Sequence, residues 1–70
     1  MEQFKNDISA ILEKIEDLTD LMSSLKDRLS NAIEASSYPE YETDMNALRM
    51  SLDDGISELG NIQESIEVYN

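Results

Sequence analysis

Ala35-Ser36-Ser37-Tyr38-Pro39-Glu40 is the stretch on which the fold turns. Tyr38 precedes the only proline of the chain, and the ring of a proline biases the residue before it away from helical backbone. Pro39 suits the first turn of a new helix, where a missing N–H costs no hydrogen bond. Ser37 and Glu40 match the S-x-x-E capping box. Glu40, Glu42 and Asp44 stand where the positive end of a helix dipole favours acids. One helix ends here and another begins.

Upstream, the large apolar residues run Phe4, Ile8, Ile11, Ile15, Leu18, Met22, Leu25, Leu29, with Ala32 closing the row. They alternate steps of four and three, the repeat of a coiled-coil seam. Ile8, Ile15, Met22 and Leu29 take heptad position a; Phe4, Ile11, Leu18, Leu25 and Ala32 take position d. Neither Gly nor Pro interrupts residues 1–34. The spacing predicts a helix over about 2–34.

Downstream the same alternation continues through Tyr41, Met45, Leu48, Leu52, Gly55, Leu59, Ile62, Ile66 and Tyr69. Asp53-Asp54-Gly55 has the composition of a turn, which would give three helices. The repeat keeps its phase across Gly55, as an inserted loop would not, and this predicts one continuous helix over about 39–69. Two long helices with a short break at about 35–39 make an all-α antiparallel coiled-coil hairpin, a single domain over residues 1–70.

Antiparallel seams set a opposite d. Centring the turn between Tyr38 and Pro39 sets Leu29 against Leu48, Leu25 against Leu52 and Met22 against Gly55. Farther along, Leu18 meets Leu59, Ile15 meets Ile62 and Ile11 meets Ile66. Every layer is apolar, and a flexible Met stands where a glycine leaves room. The same register brings Lys26 towards Arg49, a like-charge conflict of small weight at an exposed position.

Large apolar residues remain beside this seam: Leu12, Leu21 and Ile33 on the first helix, Ile56 with Met50 and Val68 on the second. A hairpin standing alone should keep those flanks polar. Either the seam is wide, with partly buried edges, or the flanks dock on another chain, as small helical proteins often require.

Composition narrows the chemistry. The 70 residues hold 16 Asp plus Glu against 5 Lys plus Arg, a formal charge of −11, with no His and no Cys. Disulfides, thiol metal sites and the commonest general base are absent. The acidic balance argues against nucleic acid or anionic lipid as a direct partner. No apolar run approaches the roughly 20 residues of a membrane span, and Met1-Glu2 opens no signal peptide. A cytoplasmic location is expected. Asp53, Asp54 and Glu58 could offer oxygens to a divalent cation, but without the spacing of an EF-hand they read as a solvated face. Seven serines on the helices have no base to activate them. No catalytic residue, metal site or cofactor is expected, and the chain reads as a binding protein rather than an enzyme.

Tyr38-Pro39-Glu40-Tyr41, followed by Leu48, Leu52, Ile56, Leu59 and Ile62, resembles the small YscE-type chaperones of bacterial type III secretion. These are short helical hairpins whose turn has the form Pro-x-x-Tyr before an amphipathic helix. Here one residue separates Pro39 from Tyr41. The likeness covers roughly residues 36–66. It implies a cytosolic heterocomplex in which the hairpin joins a helical-repeat co-chaperone and together they keep a needle subunit unpolymerised. It also implies that Pro39 and Tyr41 shape the turn, while Leu48, Leu52, Ile56 and Leu59 supply packing or docking surface.

Two other functions suit the same residues. An acidic helix pair can imitate a phosphate track and inhibit a nucleic-acid-binding enzyme. Two hairpins can also self-associate as a four-helix bundle with a structural or regulatory role. Together the candidate partner-binding residues are Leu12, Leu21, Ile33, Leu48, Met50, Leu52, Ile56 and Leu59.

Overall fold

The computed structural model describes residues 2–70. Helix α1 spans Glu2–Glu34 and helix α2 spans Glu42–Glu67, packed against each other as a hairpin. A single 3₁₀ turn over Pro39–Tyr41 leads into α2.

The end of α1 is set by backbone hydrogen bonds. Ser36 N–H donates to Ile33 C=O at 3.1 Å, and Ser37 N–H donates to Ala32 C=O at 3.1 Å. This pair is the Schellman arrangement that satisfies the last carbonyls of a helix. It needs a left-handed residue, and Ser36 takes that conformation with φ 52°.

The Schellman bonds also overturn the expected capping box. With its N–H committed to Ala32, Ser37 belongs to the end of α1. Tyr38 becomes the cap before Pro39, and no side-chain hydrogen bond caps the turn. Tyr41 N–H donates to Tyr38 C=O at 3.0 Å, so Pro39–Tyr41 winds as 3₁₀ and the α-helix starts at Glu42 rather than at residue 39. At the far end α2 stops at Glu67, short of Tyr69.

Helix α2 passes without a break through Gly55, whose φ is not positive. The three-helix alternative is thereby excluded. Met22 and Gly55 meet: a Cβ built on Gly55 would lie 2.6 Å from Met22 Cε. The antiparallel register read from the sequence is therefore correct at its centre.

The rotation of the helices differs from the a-to-d seam. Among the described residues only Ile8, Ile15 and Leu52 are buried, all on the a lines. The next most covered positions of α1 include Leu12, Thr19, Met22, Lys26, Leu29 and Ile33. Those of α2 include Met45, Arg49, Ile56, Leu59, Gln63 and Ile66. The seam thus runs along a and e. Leu12, Ile33 and Ile56, expected beside the seam, lie within it.

Polar contacts on the e side accompany this rotation. Lys26 forms an ion pair with Asp53. Arg49 Nη1 donates to Ser30 Oγ at 3.5 Å and Nη2 to Asn46 Oδ1 at 3.0 Å, while Ser9 Oγ donates to Asn70 Oδ1 at 2.9 Å. Lys and Arg stems cover apolar surface while their heads reach these acceptors. The expected conflict between Lys26 and Arg49 is absent, because each cation turns to its own partner.

The result is a rod with Cα extents of 53 × 15 × 13 Å. Its radius of gyration is 16.0 Å, against about 11 Å for a compact domain of this length. Two helices enclose little, and most of the chain lies at the surface.

Candidate functional site

Each helix carries apolar residues on three neighbouring lines, a, d and e. A helix pair rotated onto a and e leaves the d lines uncovered. In an antiparallel pair both d lines fall on the same side, because reversing a helix mirrors its heptad about the a line. Phe4, Ile11, Leu18 and Leu25 from α1 and Leu48 and Ile62 from α2 are each 44–47% exposed. They form one apolar face, two helices wide, running most of the length of the rod.

The levels along this face follow from the register of the hairpin. Phe4 and Tyr69, both on d lines, meet edge to face with ring centroids 5.7 Å apart. In the register fixed by Met22 and Gly55 the two d lines interleave, with Ile62 at a height between Ile11 and Leu18 and Leu48 beyond Leu25. On α1 the face holds a shallow depression of about 250 Å³ lined by Ala10, Ile11, Lys14, Ile15 and Leu18.

The g positions form the border. On α1 these are Asp7, Lys14, Leu21 and Arg28; on α2 they are Asp44, Ser51, Glu58 and Ser65. Three acids and two bases leave −1 of the chain's −11 beside the apolar face. The other acidic charge lies on the e side, the backs of the helices and the turn. The face is apolar and nearly neutral within a strongly acidic molecule.

The sequence-derived candidates scatter over this geometry. Leu48 lies on the open face, and Leu21, 68% exposed, stands on its border. Leu52 is buried, and Leu12, Ile33, Ile56 and Leu59 are half-buried between the helices. Ile33 also helps line a small hollow with Tyr38, Pro39 and Met45 at the turn end. Met50 is exposed at position f, on the back of α2. Ile11, Leu18, Leu25 and Ile62 were expected in the interior and stand instead on the open face. The pertinent sequence signal was the polar and charged content of the e lines, Thr19, Lys26, Arg49 and Gln63, which can close a seam only where acceptors lie opposite.

Asp53 is engaged by Lys26, and among the described residues no cluster of acids could hold a metal ion. No described helix is long and apolar enough to cross a membrane. Comparison with known protein families, curated proteins and solved structures finds no match to this chain.

Proposed function

We propose that this chain is a non-enzymatic docking protein whose d face seats the apolar side of an amphipathic helical partner. The observation that carries this reading is the asymmetry of the hairpin. Its e side is closed by Lys26–Asp53 and Arg49–Ser30, while six large apolar side chains remain half-exposed on the d side. Exposed apolar surface of this extent marks interaction sites on soluble proteins. A helix laid along the rod would cover Ile11, Leu18 and Leu25 with its own i, i+3, i+4, i+7 stripe.

Such docking fits the role implied by the YscE-type resemblance. A subunit that polymerises through apolar helix faces is kept soluble by a complementary apolar stripe. The acidic exterior would then hold the complexes apart by charge repulsion. The acids beside the docking face are few, so this repulsion would not oppose the partner's approach.

Affinity purification of wild type alongside two variants tests the reading. Leu18→Gln with Leu25→Gln should lose a co-purifying amphipathic helical subunit, whereas Asp17→Asn with Asp20→Asn should retain it. Retention by the first variant, or loss from the second, would overturn it. Loss from the second is what a nucleic-acid mimic requires.

A further inference from the structure

Resting on this docking reading, we infer that the partner helix carries acids along one flank of its apolar stripe and bases along the other, and that this pattern sets the direction in which it lies. The two borders of the d face differ in sign. On the α1 border Lys14 and Arg28 outnumber Asp7; on the α2 border Asp44 and Glu58 stand with two serines and no base. Lys14, Arg28, Asp44 and Glu58 are all exposed, and among the described residues no ion pair engages any of them. Lys14 also lines the depression beside Ile11 and Leu18, so its stem belongs to the docking surface and its ammonium to the rim. In a chain of 16 acids and 5 bases, two unpaired bases on one edge of an apolar face are a specific demand on what covers it.

The spacing suits one straight helix. Lys14 and Arg28 lie two heptads apart, as do Asp44 and Glu58, about 21 Å along each helix. A partner laid in the groove therefore meets both bases with one heptad position and both acids with another. In the register of the hairpin the acids sit roughly 7–10 Å nearer the turn than the bases across from them. A second copy at the hairpin's own levels would set Ser65 and Ser51 against Lys14 and Arg28. Those serines supply no charge, so the complementary helix belongs to another protein.

Handedness turns this pattern into a direction. Seen from the N-terminus of α1 with the d face uppermost, α1 lies on the left and α2 on the right, because successive residues of a right-handed helix turn clockwise as they recede. On a partner parallel to α1, the e positions flank its downward stripe on the left and the g positions on the right. On an antiparallel partner they exchange. A helix with acids at e and bases at g is thus complementary when parallel to α1, and one with bases at e and acids at g when antiparallel. Placed the wrong way round, either would meet four like charges. Exposed charges add little affinity, yet they select orientation by penalising the wrong one.

Two synthetic three-heptad helices test the inference, both with Leu at a and d, one with Glu at e and Lys at g, the other with these exchanged. Each carries a nitroxide at its N-terminus and is kept below the concentration at which it self-associates. The first should broaden the methyls of Ile11 and Ile62, at the open end of the hairpin, and the second those of Leu25 and Leu48, near the turn, each by a preference of about tenfold. The quadruple variant Lys14→Glu, Arg28→Glu, Asp44→Lys, Glu58→Lys should exchange the two results while circular dichroism stays helical. One direction for both peptides, an even mixture of directions, or a variant that keeps the wild-type pattern would overturn the inference and leave the docking face standing. A protein that sediments as a dimer through this face and is not released by either peptide would make a second copy the occupant, and would overturn it too. If neither peptide, nor a third with Gln on both flanks, broadens any of these methyls, the docking reading itself is wrong.

Discussion

Met22 Cε occupies the space that a side chain on Gly55 would fill, 2.6 Å from the position of its Cβ. The contact ties the middle of α1 to the middle of α2 and holds the register of the hairpin. It also makes the two glycines of α2 unequal. Gly60 has nothing within 4 Å of its Cβ position. Gly60→Ala should therefore realise the helix-propensity gain of about 1 kcal/mol. Gly55→Ala should gain less, because the Met22 methyl must swing aside. Thermal melts of both variants should rank Gly60→Ala above Gly55→Ala; the reverse order would place Met22 elsewhere.

Ser36 holds a left-handed conformation, φ 52°, that disfavours every residue with a Cβ. Replacing it with glycine keeps the Schellman bonds and removes the steric penalty. Ser36→Gly should raise stability by about 1 kcal/mol, less the entropy that glycine adds to the unfolded chain. Ser36→Val should lower it. Urea denaturation of the pair checks the sign at a position where sequence alone suggested a capping serine nearby.

The e-side ion pair has an orienting rather than a stabilising role. Lys26 and Asp53 side chains are 35% and 54% exposed, so solvent screens them. Asp53→Asn should cost no more than about 1 kcal/mol, and the difference from wild type should shrink as salt is added. A larger loss that persists in high salt would mean that the e side is drier than the hairpin allows.

The acids on the backs of the helices should not contribute to docking. Asp17→Asn with Asp20→Asn should leave helicity and partner binding unchanged, and any gain in self-association should be small. A protein that imitates nucleic acid behaves oppositely: it weakens with each neutralised carboxylate and with added salt. Competition binding against the captured partner over a salt series distinguishes the two.

The existence, length and antiparallel order of the helices were legible because the apolar repeat is regular and Tyr38-Pro39 interrupts it only once. The register was legible at Met22 and Gly55 because a flexible side chain and a vacant position complement each other. The side on which the seam closes was not legible. Ile11 and Leu12 are adjacent and equally greasy, and periodicity alone gives no reason to bury one before the other. The side that closes carries contacts between distant residues, Lys26 with Asp53 and Arg49 with Ser30, which exist only in a register and rotation already adopted. Of the residues read as docking candidates, Leu12 and Ile56 lie half-buried in the seam, while Leu18 and Ile62, read as seam residues, stand on the open face. The end of α1 was misread for a local reason, since Ser36-Ser37 can either cap a following helix or close a preceding one.

Solvent paramagnetic relaxation of side-chain methyl groups, with and without a synthetic amphipathic helix, would report directly on whether a partner covers the d face. A soluble paramagnetic probe broadens exposed methyls and spares buried ones. Leu21 and Val68, 68% and 78% exposed in the hairpin, serve as the exposed reference, and Ile15 and Leu52 as the buried one. If the helix seats on the face, the methyls of Ile11, Leu18, Leu25, Leu48 and Ile62 should become nearly as protected as those of Ile15 and Leu52. If those five broaden as strongly as Val68 with the helix in excess, the face stays open and docking through it is contradicted.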